Sequence, residues 1–208
     1  MKKIAVIDYG MSNLHSVVKA FESVITKNYE IYIARQETDL LNASCLVLPG
    51  QGAASSCVTK LTKAFPEIKS HILNKPFMGI CMGFQILFDH TEEDNGVDCF
   101  SIIKGNVEGF HGKTKNLKVP HMGWNMVCQK HNHKIWKDIP NNSFFYFVHS
   151  YYAQCLEEKD QFSTSKYDVS FTSSVLVDNI FACQFHPEKS SKHGLNLISN
   201  FLKWSEHI

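Results

Sequence analysis

Three observations predict an α/β protein built in three layers, with a mostly parallel central sheet flanked by helices and carrying an antiparallel extension. Short apolar runs alternate with amphipathic stretches of helical period through the first half of the chain, the rhythm of strands joined by crossover helices. Two of those runs end in glycine-bearing turns, Pro49-Gly50-Gln51-Gly52 and Gly79-Ile80-Cys81-Met82-Gly83. Later runs follow one another without long helices between them, as hairpin-connected strands do.

Residues 3–8 read as a buried strand. Asn13 then caps a helix whose apolar positions Leu14, Val17, Val18, Phe21, Val24 and Ile25 share one face. The second strand is Glu30-Ile31-Tyr32-Ile33-Ala34, and the third is Cys45-Leu46-Val47-Leu48, stopped by Pro49 and Gly50. Helical pattern over 54–73 breaks near Pro66, ahead of a strand at 76–80 that delivers Cys81. The second half supplies strand-like runs at Val119 to Val127, Phe144 to Ala153, Ser170 to Val177 and Asn179 to Phe185. A closing helix at roughly 193–206 presents Leu195, Ile198, Phe201 and Leu202. With no repeat, low-complexity tract or linker, residues 1–208 are expected to form one domain around a single sheet.

The 208 residues carry a formal net charge of +1, with 21 Lys and Arg against 20 acidic side chains and no basic run. That balance argues against a nucleic-acid partner. The apolar stretch after Met1 is too brief for a signal and is interrupted by Asp8, so a soluble, cytoplasmic protein without a membrane association is expected. Seven cysteines at wide spacings lack close Cys-x-x-Cys pairs, which predicts reduced, mostly structural thiols. His131 and His133 flank Asn132 in a polar loop without metal-site spacing, and no metal or other cofactor is expected.

Cys81 is the exception among the thiols. Glycines two places either side of it suit a strained strand-to-helix elbow, where any Cβ would meet neighbouring backbone. A sulfur at a helix start gains from free N–H groups and the helix dipole, which favour thiolate. A thiolate nucleophile needs a base and a group to orient that base, and His186-Pro187-Glu188 follows an apolar strand in a position to supply both. An oxyanion also needs aligned N–H donors. Met82 is one candidate and the Gly50-Gln51-Gly52 segment the other. Each pattern has a plain structural reading on its own: packing for Cys81, a surface turn for His-Pro-Glu, a loop for Pro-Gly-Gln-Gly. Their coincidence at three sheet ends, where open parallel sheets bind ligands, favours an active site.

These residues resemble the class I glutamine amidotransferases, and among them the glutaminase subunits of imidazole glycerol phosphate synthases. The likeness spans essentially the whole chain. It rests on Asp8-Tyr9-Gly10 with Asn13-Leu14, Pro49-Gly50-Gln51-Gly52, Gly79 to Gln85, Glu92-Glu93, Val119-Pro120-His121-Met122-Gly123-Trp124-Asn125, Phe147 to Tyr151, and Gln184 to Ser190. The elbow and His-Pro-Glu belong to the wider superfamily, whereas Pro-His-Met-Gly-Trp-Asn points to this branch.

The resemblance implies a flavodoxin-like fold and a Cys81, His186, Glu188 triad that hydrolyses glutamine through a glutamyl thioester. It assigns Gly52 and Met82 to the oxyanion hole, and Gly50, Gln85, Glu93, Ser150 and Tyr151 to glutamine. A carboxylate such as Glu93 suits the substrate's ammonium, and backbone N–H groups suit its carboxylate. It further implies a heterodimer with a cyclase subunit of (β/α)8-barrel form, which receives the ammonia and makes imidazole glycerol phosphate for histidine. This chain is too short to hold such a barrel as well, for which about 250 residues are typical. Pro120, His121, Met122, Tyr146 and Lys189 would lie at that interface, and the Gly50-Gln51-Gly52 segment would turn inward when the partner is engaged. Gln51 and Ala54 replace a more usual apolar pair, Thr91 a serine, and Ala182-Cys183 a Gly-Val. Gln51 leaves the oxyanion gating open. Two other readings are a paralogous amidotransferase feeding a sugar-amidinating synthase and a catalytically silent regulatory module. A redox sensor built on Cys81 would have no need of His186-Pro187-Glu188 or of Glu92-Glu93.

Overall fold

The computed structural model describes residues 1–10, 14–114 and 117–208. Its first half follows the expected alternation. Strands β1 (Lys2–Ile7), β2 (Tyr29–Ala34), β3 (Cys45–Gly50) and β4 (Phe77–Cys81) are separated by helices α1 (Leu14–Glu22), α2 (Glu37–Leu41), α3 (Ala54–Ala64) and α4 (Ile68–Asn74). The break expected near Pro66 falls between α3 and α4. The expected cap Asn13 lies outside the described residues.

After Cys81 the chain makes a single helical turn, α5 (Met82–Gln85), in place of a longer helix. Short strands β5 (His90–Thr91) and β6 (Val97–Asp98) lead to β7 (Gly105–Gly109), β8 (His121–Gln129), β9 (Ser143–His149), β10 (Tyr151–Cys155), β11 (Gln161–Tyr167), β12 (Val169–Val177) and β13 (Ile180–Cys183). Helix α6 (Ser191–Trp204) closes the chain. The run from Phe144 to Ala153 is therefore two strands broken at Ser150.

One sheet contains all of these strands. Its spine runs β2-β1-β3-β4-β13-β12-β10-β7-β5-β6, with β11 paired to β12 and β8, and β9 paired to β8. The five strands from β2 to β13 are parallel to one another, and β12, β10, β7, β11, β8 and β9 add the antiparallel extension, which joins through the antiparallel pair β13–β12.

Alternation along each strand divides the core into two layers. From β1, Ile4 and Val6 join Phe21 of α1 and Phe201 of α6 on one face. Ala5 and Ile7 join Leu61 of α3, Phe65 just past its end and Ile72 of α4 on the other. Register then decides what meets at the strand ends. Gly50 lies opposite Cys81, Cys183 opposite Ile80, and His121 opposite His149. Segments far apart in sequence thus end at one edge of the sheet.

Candidate active site

Cys81 sits at the elbow between β4 and α5 with φ of 55° and ψ of −106°, a conformation costly for a residue with a Cβ. The glycines around it are there for space. A Cβ on Gly79 would stand 2.4 Å from the Gly83 carbonyl oxygen, and one on Gly83 would stand 2.0 Å from the Leu48 carbonyl oxygen. Strand, turn and helix close on one another so tightly that only hydrogen fits at either position.

His186 leaves the sheet just beyond β13 and is fixed through its backbone. Its N–H donates to the Tyr146 carbonyl at 2.9 Å. Its own carbonyl accepts from Ser190 Oγ at 2.6 Å, and Ser190 Oγ accepts from Tyr146 N–H at 3.0 Å. On the imidazole, Nδ1 donates to Glu188 Oε1 at 2.7 Å, while buried Nε2 has no hydrogen-bond partner. Burial by itself would lower the pKa of this histidine. The adjacent Cys81 sulfur and the Glu188 carboxylate outweigh it and raise the pKa to about 10, as neighbouring negative charge does for a cation.

Cys81, Met82, Gln85, Glu93, Ser150, Tyr151, His186 and Gly52 line one cavity of about 340 Å³, within the span of about 300–1,000 Å³ usual for small-molecule sites. Gln51, Pro120, Val148 and His149 complete its wall. Gly50 does not. It lines a small recess behind the histidine with Gln51, Glu188 and Lys189, and a Cβ on it would stand 2.6 Å from the Tyr9 hydroxyl. Gly50 thus shapes the loop and the elbow instead of touching the cavity. Gly52 has φ of 91°, a backbone that glycine adopts without penalty.

Two polar side chains on the wall already have partners in the protein. The Gln85 amide nitrogen donates to the Tyr151 carbonyl at 2.8 Å and to Gln184 Oε1 at 2.9 Å. Glu93 Oε2 accepts from Ala54 N–H at the start of α3 at 2.9 Å. Burial pushes the Glu93 carboxyl up, and that hydrogen bond partly offsets it.

Sequence reasoning passed over Gln184 as a site residue. It is fully buried, and its amide nitrogen donates to Cys81 Sγ at 3.7 Å. Its signal was register: Cys183, the last residue of the strand beside β4, pairs with Ile80, so the next residue along comes level with the elbow. Of the expected interface residues, Pro120, Met122 and Lys189 are exposed and Tyr146 half-buried. His121 departs from the expectation. It is 3% exposed, stacked between Phe147 at 5.0 Å and Tyr167 at 4.0 Å, so its side chain is packed within this chain instead of standing on the surface.

Burial pushes the thiols of Cys45 and Cys57 up to about 12, with the Tyr9 hydroxyl partly opposing the rise at Cys57, the behaviour of packed structural groups. Among the described residues, no three His, Cys, Asp or Glu side chains are grouped to hold a metal. His133 caps a short turn instead, accepting from Ile135 N–H. No helix of the described residues is long and apolar enough to cross a membrane.

Residues 5–204 match the family model for class-I glutamine amidotransferases. The chain is 45% identical over 212 residues to imidazole glycerol phosphate synthase subunit HisH of Nitrosospira multiformis, covering 98% of this chain and 99% of that one. With its counterpart from Hydrogenovibrio crunogenus the identity is 43% over 210 residues, covering 98% and 97%. Among solved structures, PurLQS from Thermotoga maritima superposes with a TM-score of 0.71 at 18% identity, over 98% of each chain. A glutamine amidotransferase from the same organism gives 0.62 at 17% identity, over 99% of this chain and 84% of the other. At such identities the structural likeness speaks for the fold.

Proposed function

The chain belongs to the class I glutamine amidotransferase family, and from that premise we propose that it is the glutaminase subunit of an imidazole glycerol phosphate synthase, acting in histidine biosynthesis. The observation that carries the mechanism is the meeting of Cys81 and His186 on one cavity, with Glu188 bonded to the far nitrogen of the imidazole.

Cys81 gives its proton to His186 Nε2, and the sulfur attacks the side-chain carboxamide carbon of glutamine. The oxyanion that forms is met by the N–H of Met82 and, once its peptide turns inward, by that of Gly52. Collapse of this intermediate breaks the C–N bond. His186 returns the proton to the departing nitrogen, releasing ammonia and leaving a glutamyl thioester. Water then attacks the thioester with His186 as base, and glutamate and the free thiol result. Glu188 holds the Nδ1–H tautomer and stabilises the imidazolium at each stage. Glu93 faces the substrate's ammonium, and the backbone at Ser150 and Tyr151 its carboxylate. Gln85 acts indirectly, by holding Tyr151 and Gln184.

Ammonia passes to a cyclase subunit of (β/α)8-barrel form. The outer face of the β8–β9 ribbon suits such a partner. Its cross-strand pairs Met122 with Val148, Trp124 with Tyr146 and Met126 with Phe144 leave Met122 62%, Trp124 50% and Phe144 52% exposed. An apolar stripe of this kind marks a protein contact, and it adjoins the Tyr146 backbone that fixes His186. Glutamate release should be slow for the chain alone and strongly stimulated by the cyclase subunit with its nucleotide. Release that is equally fast without the partner would count against a gated subunit.

A further inference from the structure

His121 and His149 form a directed relay from the β8 strand to the cavity wall. The Asn125 amide is oriented by its neighbours, with Oδ1 accepting from Met126 N–H at 2.8 Å and Nδ2 donating to the Lys166 carbonyl at 2.9 Å. Its second Nδ2 hydrogen points to His121 Nε2 at 3.3 Å. An amide nitrogen only donates, so His121 Nε2 accepts and its proton sits on Nδ1. His121 Nδ1 lies 2.8 Å from His149 Nε2, which must then accept, leaving the His149 proton on Nδ1. That nitrogen donates to the Tyr151 carbonyl at 2.7 Å. Every group in the chain is satisfied in one direction only, with both imidazoles neutral.

Neutrality is enforced by the surroundings. Burial lowers His121 to about 4. Burial and the neighbouring His121 lower His149 to about 3, although its bond to the Tyr151 carbonyl works the other way. The relay ends on the carbonyl that also takes the Gln85 amide, at the point where Ser150 and Tyr151 bound the cavity. It begins on the strand that carries the exposed Met122, Trp124 and Met126.

We propose that His121 and His149 are positioning residues for glutamine: a neutral two-imidazole relay that ties the partner-facing strand β8 to the Tyr151 carbonyl and so sets the backbone that receives the substrate. This rests on the glutaminase reading above. Losing the relay leaves a buried acceptor or donor unpaired and lets the Ser150–Tyr151 segment shift, which weakens ground-state binding more than the chemical step.

The test has two parts. Imidazole ¹⁵N spectra of the full chain at neutral pH should show both histidines protonated at Nδ1 and bare at Nε2. An Nε2–H tautomer on either ring overturns the relay whatever the enzyme does. In the complex with the cyclase subunit, His121→Phe keeps the ring stack and removes the hydrogen bonds, and should raise KM for glutamine about tenfold, with kcat changed by less than about twofold. His121→Asn, which places an N–H near the Nδ1 position, should recover most of that loss. An unchanged KM in His121→Phe, or no difference between the two variants, contradicts the positioning role. Cys81→Ala in the same assay reports on the glutaminase reading itself: release that survives there removes that reading and leaves the tautomer result standing.

Discussion

The Gln184 amide nitrogen donates to Cys81 Sγ at 3.7 Å, and the oxygen of the same amide accepts from Gln85 Nε2 at 2.9 Å. Its orientation is therefore imposed from the other side of the cavity, because Gln85 is in turn bonded to the Tyr151 carbonyl. A neutral donor held against the sulfur in a buried setting fixes where that sulfur sits at the elbow.

Gln184→Leu keeps the volume and removes the donor. Loss of a hydrogen bond to a charged group costs about 1.5–3 kcal/mol, so kcat for glutamine hydrolysis in the partner complex should fall about ten- to hundredfold. Steady-state glutamate release measures this, and an unchanged kcat would show that the amide is only packing.

Glu188→Gln removes the anion that orients His186 while keeping a side chain of the same shape. By analogy with the carboxylate of other catalytic triads, kcat should fall by about a hundredfold or more. Folding measured by circular dichroism should be retained, since the change lies on a turn held by the backbone bonds of His186 and Ser190.

The raised pKa of His186 makes a prediction for stability against pH. Its folded value of about 10 lies above the ordinary 6.5, so the folded state binds this proton more tightly than the unfolded chain does. The resulting stabilisation is complete below pH 6.5 and is lost as pH rises through 10. Denaturant melts across that window should show stability falling with pH, and His186→Ala should flatten the fall.

Gly83→Ala tests the elbow. The added Cβ would meet the Leu48 carbonyl at 2.0 Å, a backbone atom that cannot swing aside. Overpacking of this kind costs about 1–3 kcal/mol, and the melting temperature should drop accordingly. Gly10→Ala is a useful contrast, because nothing lies within 4 Å of its Cβ position and only the positive φ of 82° is penalised.

Trp124→Ala separates the interface from the active site. Trp124 is half exposed and touches Tyr146 edge-on at 6.2 Å, so the isolated chain should lose little stability. Affinity for the cyclase subunit, measured by calorimetry, should weaken by at least about tenfold, the behaviour of a buried aromatic anchor.

The parallel half of the fold was legible because β1, β3 and β4 are continuous apolar runs ended by glycine or proline signals, and their order follows from alternation with helices. Strands β5, β6, β7 and β11 were not. They are short or rich in Ser, Thr and Asn, as in Gln161–Tyr167, and owe their state to neighbours in the sheet, not to local pattern. Gly79, Cys81 and Gly83 were readable because the elbow needs small residues at fixed offsets. Gln184 and His149 were not singled out, since a buried glutamine just past a strand or a buried histidine at a strand's end carries no local sign of what register sets beside it. His121 was misplaced for the same reason. Its neighbours Pro120 and Met122 face outward, and strand alternation turns His121 the other way.

The most direct measurement is glutamate release by Cys81→Ala in complex with the cyclase subunit, with added ammonia driving the cyclase as a control. Release should disappear while the complex still forms and the ammonia-driven reaction proceeds. Release at the rate of the unaltered protein would contradict the assignment of Cys81 as the nucleophile.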